Sequence, residues 1–121
     1  MKRDMELVRQ ILLACEDLPH GKKLTALDGV EKEDFITHVI WLKQAGLVEA
    51  QAQSGTGSFA QFAMVSGLTW QGCEFADAMR DNTLWAKAKA KFMRPGISFT
   101  LDIVKDWLKA EITQGLPTLG G

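Results

Sequence analysis

Apolar residues recur at Met5, Val8, Ile11, Leu12 and Cys15, and this three-or-four spacing predicts a helix over about residues 3–17 with one buried stripe. Pro19 and Gly21 stop it. The following "KKLTALDGV" is too short for much helix and holds the turn pair Asp28-Gly29, so an extended segment and a turn are expected. From Glu31 to Ala45 the helical period returns, with Phe35, Ile36, Val39, Ile40, Leu42 and Ala45 on one broad face. Glu31, Glu33 and Asp34 occupy its first turn, where carboxylates complement the helix dipole, and Gly46 suits a left-handed stop. The opposite face carries Asp34, Thr37, His38, Trp41 and Gln44. An indole on a polar face calls for a cover, which the C-terminal part of the chain or a second chain would supply over Trp41.

Past Gly46 the period shortens. Residues 47–53 and 59–66 alternate weakly around Ser54-Gly55-Thr56-Gly57-Ser58, which predicts a hairpin. Val48, Ala50 and Ala52 are expected inward on the first strand, and Ala60, Phe62 and Met64 on the second, although so shallow an alternation does not fix the register. Thr69 caps a helix beginning at Trp70, where Cys73, Ala76 and Met79 continue an apolar stripe and Gly72 takes the place a capping box gives to a carboxylate. Asp81-Asn82-Thr83 kinks or restarts this helix; Leu84, Ala88 and Phe92 follow at four-residue spacing, and Arg94-Pro95-Gly96 ends it. Ser98 or Thr100 opens a last helix, about residues 99–113, whose face of Leu101, Val104, Leu108 and Ile112, with Trp107 near its edge, needs a cover from the chain itself or from its copy in a homodimer. The closing "GLPTLGG" reads as a flexible tail.

The chain's 121 residues suffice for one core. Fourteen basic and fifteen acidic side chains leave a net charge of -1, so any attraction to nucleic acid must be local. No stretch approaches the roughly 18 apolar residues of a membrane span, and a cytoplasmic protein without membrane partners is expected. Cys15 and Cys73 stand alone within apolar helical stretches and read as buried free thiols, with a disulfide left open. Zinc would have to gather Cys15, His20, His38 and Cys73 with no local ligand pair. With no nucleophile elbow, phosphate loop or metal-binding helix, no catalytic, cofactor or metal residues are assigned, and the chain is expected not to be an enzyme.

Helix, glycine, strand, tip, strand and second helix is the order of a winged helix. The stretches "HVIWLKQAGLVEA" and "LTWQGCEFADAMRD" resemble the helix, wing strand and closing helix of winged-helix regulators, where L-x-x-A-G-L-[IV] and L-T-x-x-G-x-x-F recur. More closely, "MKRDMELVRQILL", "LTWQGCEFADAMRDNTLW" and "FTLDIVKDWL" resemble an uncharacterised family of bacterial and prophage-borne domains of unknown function, over nearly the whole chain. The resemblance implies an α+β, mainly helical fold: a winged-helix core over residues 1–80, a helical C-terminal extension over 81–115 and a tail over 116–121. It carries over no catalytic or ligand residues.

Charge divides the functional readings. If the helix after Trp70 runs unbroken, Arg80, Lys87, Lys91 and Arg94 share one face with Thr83 between them, as candidate contacts for phosphates or an acidic partner. Against DNA stand the acidic start of the Glu31–Ala45 helix and the absence of Lys or Arg between Lys43 and Arg80. Two partners therefore stand level: DNA, bound by a regulator, or a protein, bound by an interaction module through Thr37, His38, Trp41 and Gln44.

Overall fold

The computed structural model describes residues 2–55, 61–92 and 101–115. The fold is α+β and mainly helical: α1 (Met5–Glu16), α2 (Lys32–Gln44), β1 (Val48–Gln53), β2 (Phe62–Leu68), α3 (Trp70–Met79), α4 (Asn82–Phe92) and α5 (Leu101–Gly115). The chain forms two compact units, Met1–Ala76 and Asp77–Gly121, with the boundary inside α3. No helix among the described residues is long and apolar enough to cross a membrane.

In the first unit the stripe of α1 is buried as its spacing requires: Met5, Val8, Ile11, Leu12 and Cys15 lie inside, joined by Leu7. Asp4 starts the helix, its Oδ1 accepting the N–H groups of Glu6 (2.9 Å) and Leu7 (3.3 Å), which satisfies two otherwise orphaned donors. The expected extended segment is present at Leu24, which exchanges two 2.9 Å backbone hydrogen bonds with Val65 of β2. The Asp28-Gly29 turn follows, with Gly29 at φ 77°.

Helix α2 buries Phe35, Ile36, Val39 and Leu42, but its core face differs from the expected one: Ile40 is half-buried, Ala45 is exposed and His38 lies inside. Its C-terminus is closed by a double hydrogen bond, Gly46 N–H to Lys43 C=O (3.0 Å) and Leu47 N–H to Leu42 C=O (2.9 Å), with Gly46 at φ 77°. That left-handed stop is what the glycine was expected to provide.

Strands β1 and β2 pair antiparallel, and the register slips between Glu49 and Ala50, where Ser66 becomes the extra residue of a bulge. The Ser66 hydroxyl donates to the Glu49 carbonyl (3.1 Å), filling part of the gap in the ladder. On β1, Val48 is buried and Ala50 and Ala52 are half-buried. On β2 the phase is opposite to the expected one: Ala63 and Val65 are buried, Phe62 is exposed and Met64 is half-buried. Ala60 and tip residues 56–58 lie outside the described residues.

Helix α3 is capped by Thr69, whose Oγ1 accepts the Gly72 N–H (3.0 Å). The same hydroxyl donates to the Gly46 carbonyl, and the Thr69 N–H donates to Leu47 C=O (3.1 Å). Gly72 sits so near this junction that an added Cβ would lie 1.9 Å from the Leu47 oxygen. A glycine thus stands where a capping box would place a carboxylate because no side chain fits there. Phe75, Ala76, Ala78 and Met79 are buried along α3.

Arg80 and Asp81 interrupt the helix, and a new one starts: Asp81 Oδ1 accepts the Leu84 N–H (2.9 Å) and the Asp81 carbonyl accepts the Trp85 N–H (2.9 Å). Helices α4 and α5 pack together in the second unit. Trp85 and Ala88 of α4 and Val104 and Leu108 of α5 are buried, while Leu84, Phe92, Trp107 and Ile112 are half-buried. Phe92 and Trp107 meet edge to face, ring centres 5.7 Å apart. The side chain of Leu101, the Pro95-Gly96 stop, the Ser98 or Thr100 cap and the tail 116–121 lie outside the described residues.

Candidate interaction faces

The polar face expected on α2 is divided by the fold. His38 is only 2% exposed. Its Nε2 accepts the Asp4 N–H (2.9 Å), and its Nδ1–H donates to the Asp34 carbonyl (2.8 Å), so the ring is the neutral tautomer protonated at Nδ1. Trp41, one turn later, is half-buried, its ring 5.1 Å from His38 in an edge contact. Thr37 is half-buried and Gln44 exposed. Of the four candidates, His38 belongs to the interior and holds α1 to α2, while Thr37, Trp41 and Gln44 remain at the surface. Spacing alone contained the signal: His38 is three residues after Phe35 and four before Leu42, which puts it at the edge of the core stripe, and only its polarity argued for the other side.

The expected basic stripe is divided as well. The break at Arg80-Asp81 takes Arg80 out of line with α4, and its guanidinium Nη2 contacts Asp77 Oδ1 at 2.8 Å. Arg80 lines a cleft of about 560 Å³ with Asp77, Asp81 and Glu111 over Leu84, a lining with more carboxylates than cations. Lys87 and Lys91 stay exposed one turn apart on α4, with exposed Lys89 between them, and Arg94 lies outside the described residues. The Lys91 ammonium lies 5.8 Å from the centre of its neighbour's ring, Phe92.

The two units differ in charge. Residues 1–76 hold seven basic and ten acidic side chains; residues 77–121 hold seven basic and five acidic. Neither β1 nor β2 contains a Lys or Arg. The first turn of α2 carries Glu33 and Asp34, and Glu31 precedes it without a side-chain capping bond. A shallow cavity of about 250 Å³ beside it is lined by Asp4, Glu6, Glu31 and Asp34. The most exposed large apolar side chain among the described residues is Trp70, 79% exposed in the first turn of α3.

The cysteines part company. Cys15 is buried, and burial pushes its thiol up to about 12, so it stays protonated through neutral pH. Cys73, expected inside, is exposed, because the inward side of α3 is taken by Phe75, Ala76, Ala78 and Met79. Both are free. Among the described residues no group of three His, Cys, Asp or Glu is arranged to hold a metal ion.

A family model described as "Hypothetical protein (DUF2513)" matches residues 2–98. The chain belongs to this family. A curated relative, an uncharacterized protein of Haemophilus influenzae (strain Rd), is 32% identical over 119 residues, covering 96% of this chain and 99% of that protein. No solved structure matches. For this DUF2513 member, the motifs "AGLV" and "LTWQG" have a physical reading: they are the two sides of the junction at Gly46, Leu47, Thr69 and Gly72. These are architectural residues, and they report how the chain folds before they report what it binds.

Proposed function

We propose that this DUF2513 domain is a non-catalytic winged-helix module of regulator type, of the bacterial and prophage kind, acting in the cytoplasm by binding a protein partner. The element order supports the winged-helix reading, with Leu24 on Val65 as the short first strand, α2 as the helix before the wing, β1–β2 as the wing and α3 as the closing helix. One observation carries the choice of partner: α2, the helix that would enter a major groove, carries Glu33 and Asp34 against the single Lys32 in its first turn and has drawn His38 inside. Phosphates would meet carboxylates there, and a wing without Lys or Arg offers them neutral groups and the exposed carboxylate of Glu49. The surface left on α2 for a partner consists of Thr37, Trp41 and Gln44, with the half-buried indole as its anchor. Val104 and Leu108 of α5 are buried within a single chain, so that part of its apolar face needs no homodimer to cover it.

A second reading is favoured by one feature, the exposed Lys87 and Lys91 one turn apart on α4. Through them the domain would hold duplex DNA with little sequence preference. With roughly two or three phosphates neutralised, the logarithm of affinity would fall against the logarithm of salt with a slope of about -2 to -3. The deciding experiment is fluorescence anisotropy of labelled duplexes from low to physiological salt. Under the protein-partner reading no complex persists at physiological salt. A salt-steep complex flattened by Lys87→Ala with Lys91→Ala, and tightened by Glu31→Gln with Glu33→Gln, replaces it with the second reading. Tight, sequence-specific binding that survives those changes overturns both.

A further inference from the structure

His38 is the one buried polar or charged side chain among the described residues, and both of its ring nitrogens are engaged by backbone groups. The partner at Nε2 is the N–H of Asp4, and the carboxylate of the same residue caps the first turn of α1. A single contact between residues 34 positions apart therefore ties the beginning of the chain to α2. It depends on one lone pair, since Nε2 accepts this hydrogen bond only while it carries no proton.

We propose that His38 is a proton-operated latch, which holds the Asp4 amide, and with it residues 2–4, on α2 in its neutral form and releases them when Nε2 is protonated, while Met5, Leu7 and Val8 keep α1 in the core. Protonation replaces the acceptor by an N–H, so two donors face each other across a distance now set by a 2.9 Å hydrogen bond, and that contact cannot persist. The Nδ1–H bond to the Asp34 carbonyl is unaffected, so the ring stays fixed to its own helix and the part that moves is Asp4. The charged side chains on the elements packed around this point are Lys2, Arg3, Asp4, Glu6, Arg9 and Glu16 at the start of the chain and along α1. To these are added Asp28 in the turn, Glu31 before α2, Lys32, Glu33, Asp34 and Lys43 along it, and Glu49 on β1. Carboxylates outnumber cations in this set, so like charge does not oppose an imidazolium; burial of the ring and the lost amide hydrogen bond do. Lys2 and Arg3, exposed already, would move with the released segment.

The test follows the imidazole of His38 by long-range proton–nitrogen NMR and the Asp4 amide by backbone NMR, in the wild-type protein, from about pH 7.5 to about pH 5. At the upper end Nδ1 carries the proton and the Asp4 amide sits downfield. As His38 takes up its second proton, the Asp4 amide moves upfield in step and exchanges roughly tenfold faster, as expected for one hydrogen bond lost. In His38→Gln the carboxamide oxygen accepts the same N–H without titrating, and the Asp4 amide holds its position throughout. A ring that stays neutral down to about pH 5, an Asp4 amide unmoved while wild-type His38 becomes imidazolium, or a ring protonated at Nε2 at the upper pH overturns the latch. An equal response in His38→Gln overturns it too, and the wild-type titration decides alone if that variant does not fold.

Discussion

The junction of α2 with α3 and the exposed side of α4 are both rich in sequence signal, and they teach opposite lessons. At the junction, Gly46, Leu47, Thr69 and Gly72 meet through the Thr69 hydroxyl, one backbone hydrogen bond and a contact that excludes even a methyl group. On α4, Lys87 and Lys91 project from the helix as exposed side chains. The junction residues set positions and tolerate little; the lysines set charge and tolerate much. A motif that stands out by its glycines and threonine thus speaks of architecture, whereas one that stands out by charge speaks of partners.

The largest expected effect tests the junction. Gly72→Ala forces a Cβ against the Leu47 oxygen, and chemical denaturation should show a loss of about 3 kcal/mol or more. A loss under about 1 kcal/mol would mean that the junction yields easily, and the contrast with α4 would disappear.

His38→Ala comes next. It opens a cavity and leaves the Asp4 N–H without its acceptor, for an expected cost of about 2–3 kcal/mol by the same measurement. Thr69→Ala removes the α3 cap and the donor to Gly46 and should cost about 1–2 kcal/mol. Paired with Gly72→Ala in a double-mutant cycle, it should be non-additive because both changes act on one junction.

Cysteine chemistry gives an effect of another kind. Cys15, held protonated inside, should react with a disulfide reagent at about pH 8 only as fast as the protein opens, while exposed Cys73 reacts at once. A thiol raised from 9.0 to about 12 contributes stability that is complete below the lower value and lost as pH climbs through the upper one. Cys15→Ala should therefore weaken the alkaline decline in melting temperature. The smallest effect belongs to α4: Lys87→Ala with Lys91→Ala should change stability by less than about 0.5 kcal/mol, and a larger change would give the lysines a structural role.

Much of the frame was legible because periodic burial writes itself into the chain. The stripe of α1, the glycine stop of α2 and the Thr69 cap were all readable from spacing and from residues with special backbone or capping chemistry. The phase of β2 was not, because a bulge at Ser66 offsets the register and nothing in Ala, Met, Val, Ser and Gly announces where it falls. The polarity of His38 points to the surface against a spacing that fits Phe35 and Leu42, and a buried polar ring depends on hydrogen-bond partners 4 and 34 positions away. The basic stripe rested on an unbroken helix; Asp81 served as a cap instead and set Arg80 aside.

Because Thr69 is bonded directly to Gly46 and Leu47, the whole excursion from Val48 to Leu68 leaves from and returns to nearly the same point. The hairpin is held at its base and by Val48, Ala63 and Val65 in the core, so only the connection between Gln53 and Phe62 can change without disturbing the helices. Lengthening such a loop is thermodynamically mild, each doubling costing about 0.6 kcal/mol in closure entropy. Relatives should therefore differ most in the length and composition of the connection between the strands while keeping the strands themselves, and a tag or a second small domain should be accommodated at exposed Ser54-Gly55 more readily than within either strand.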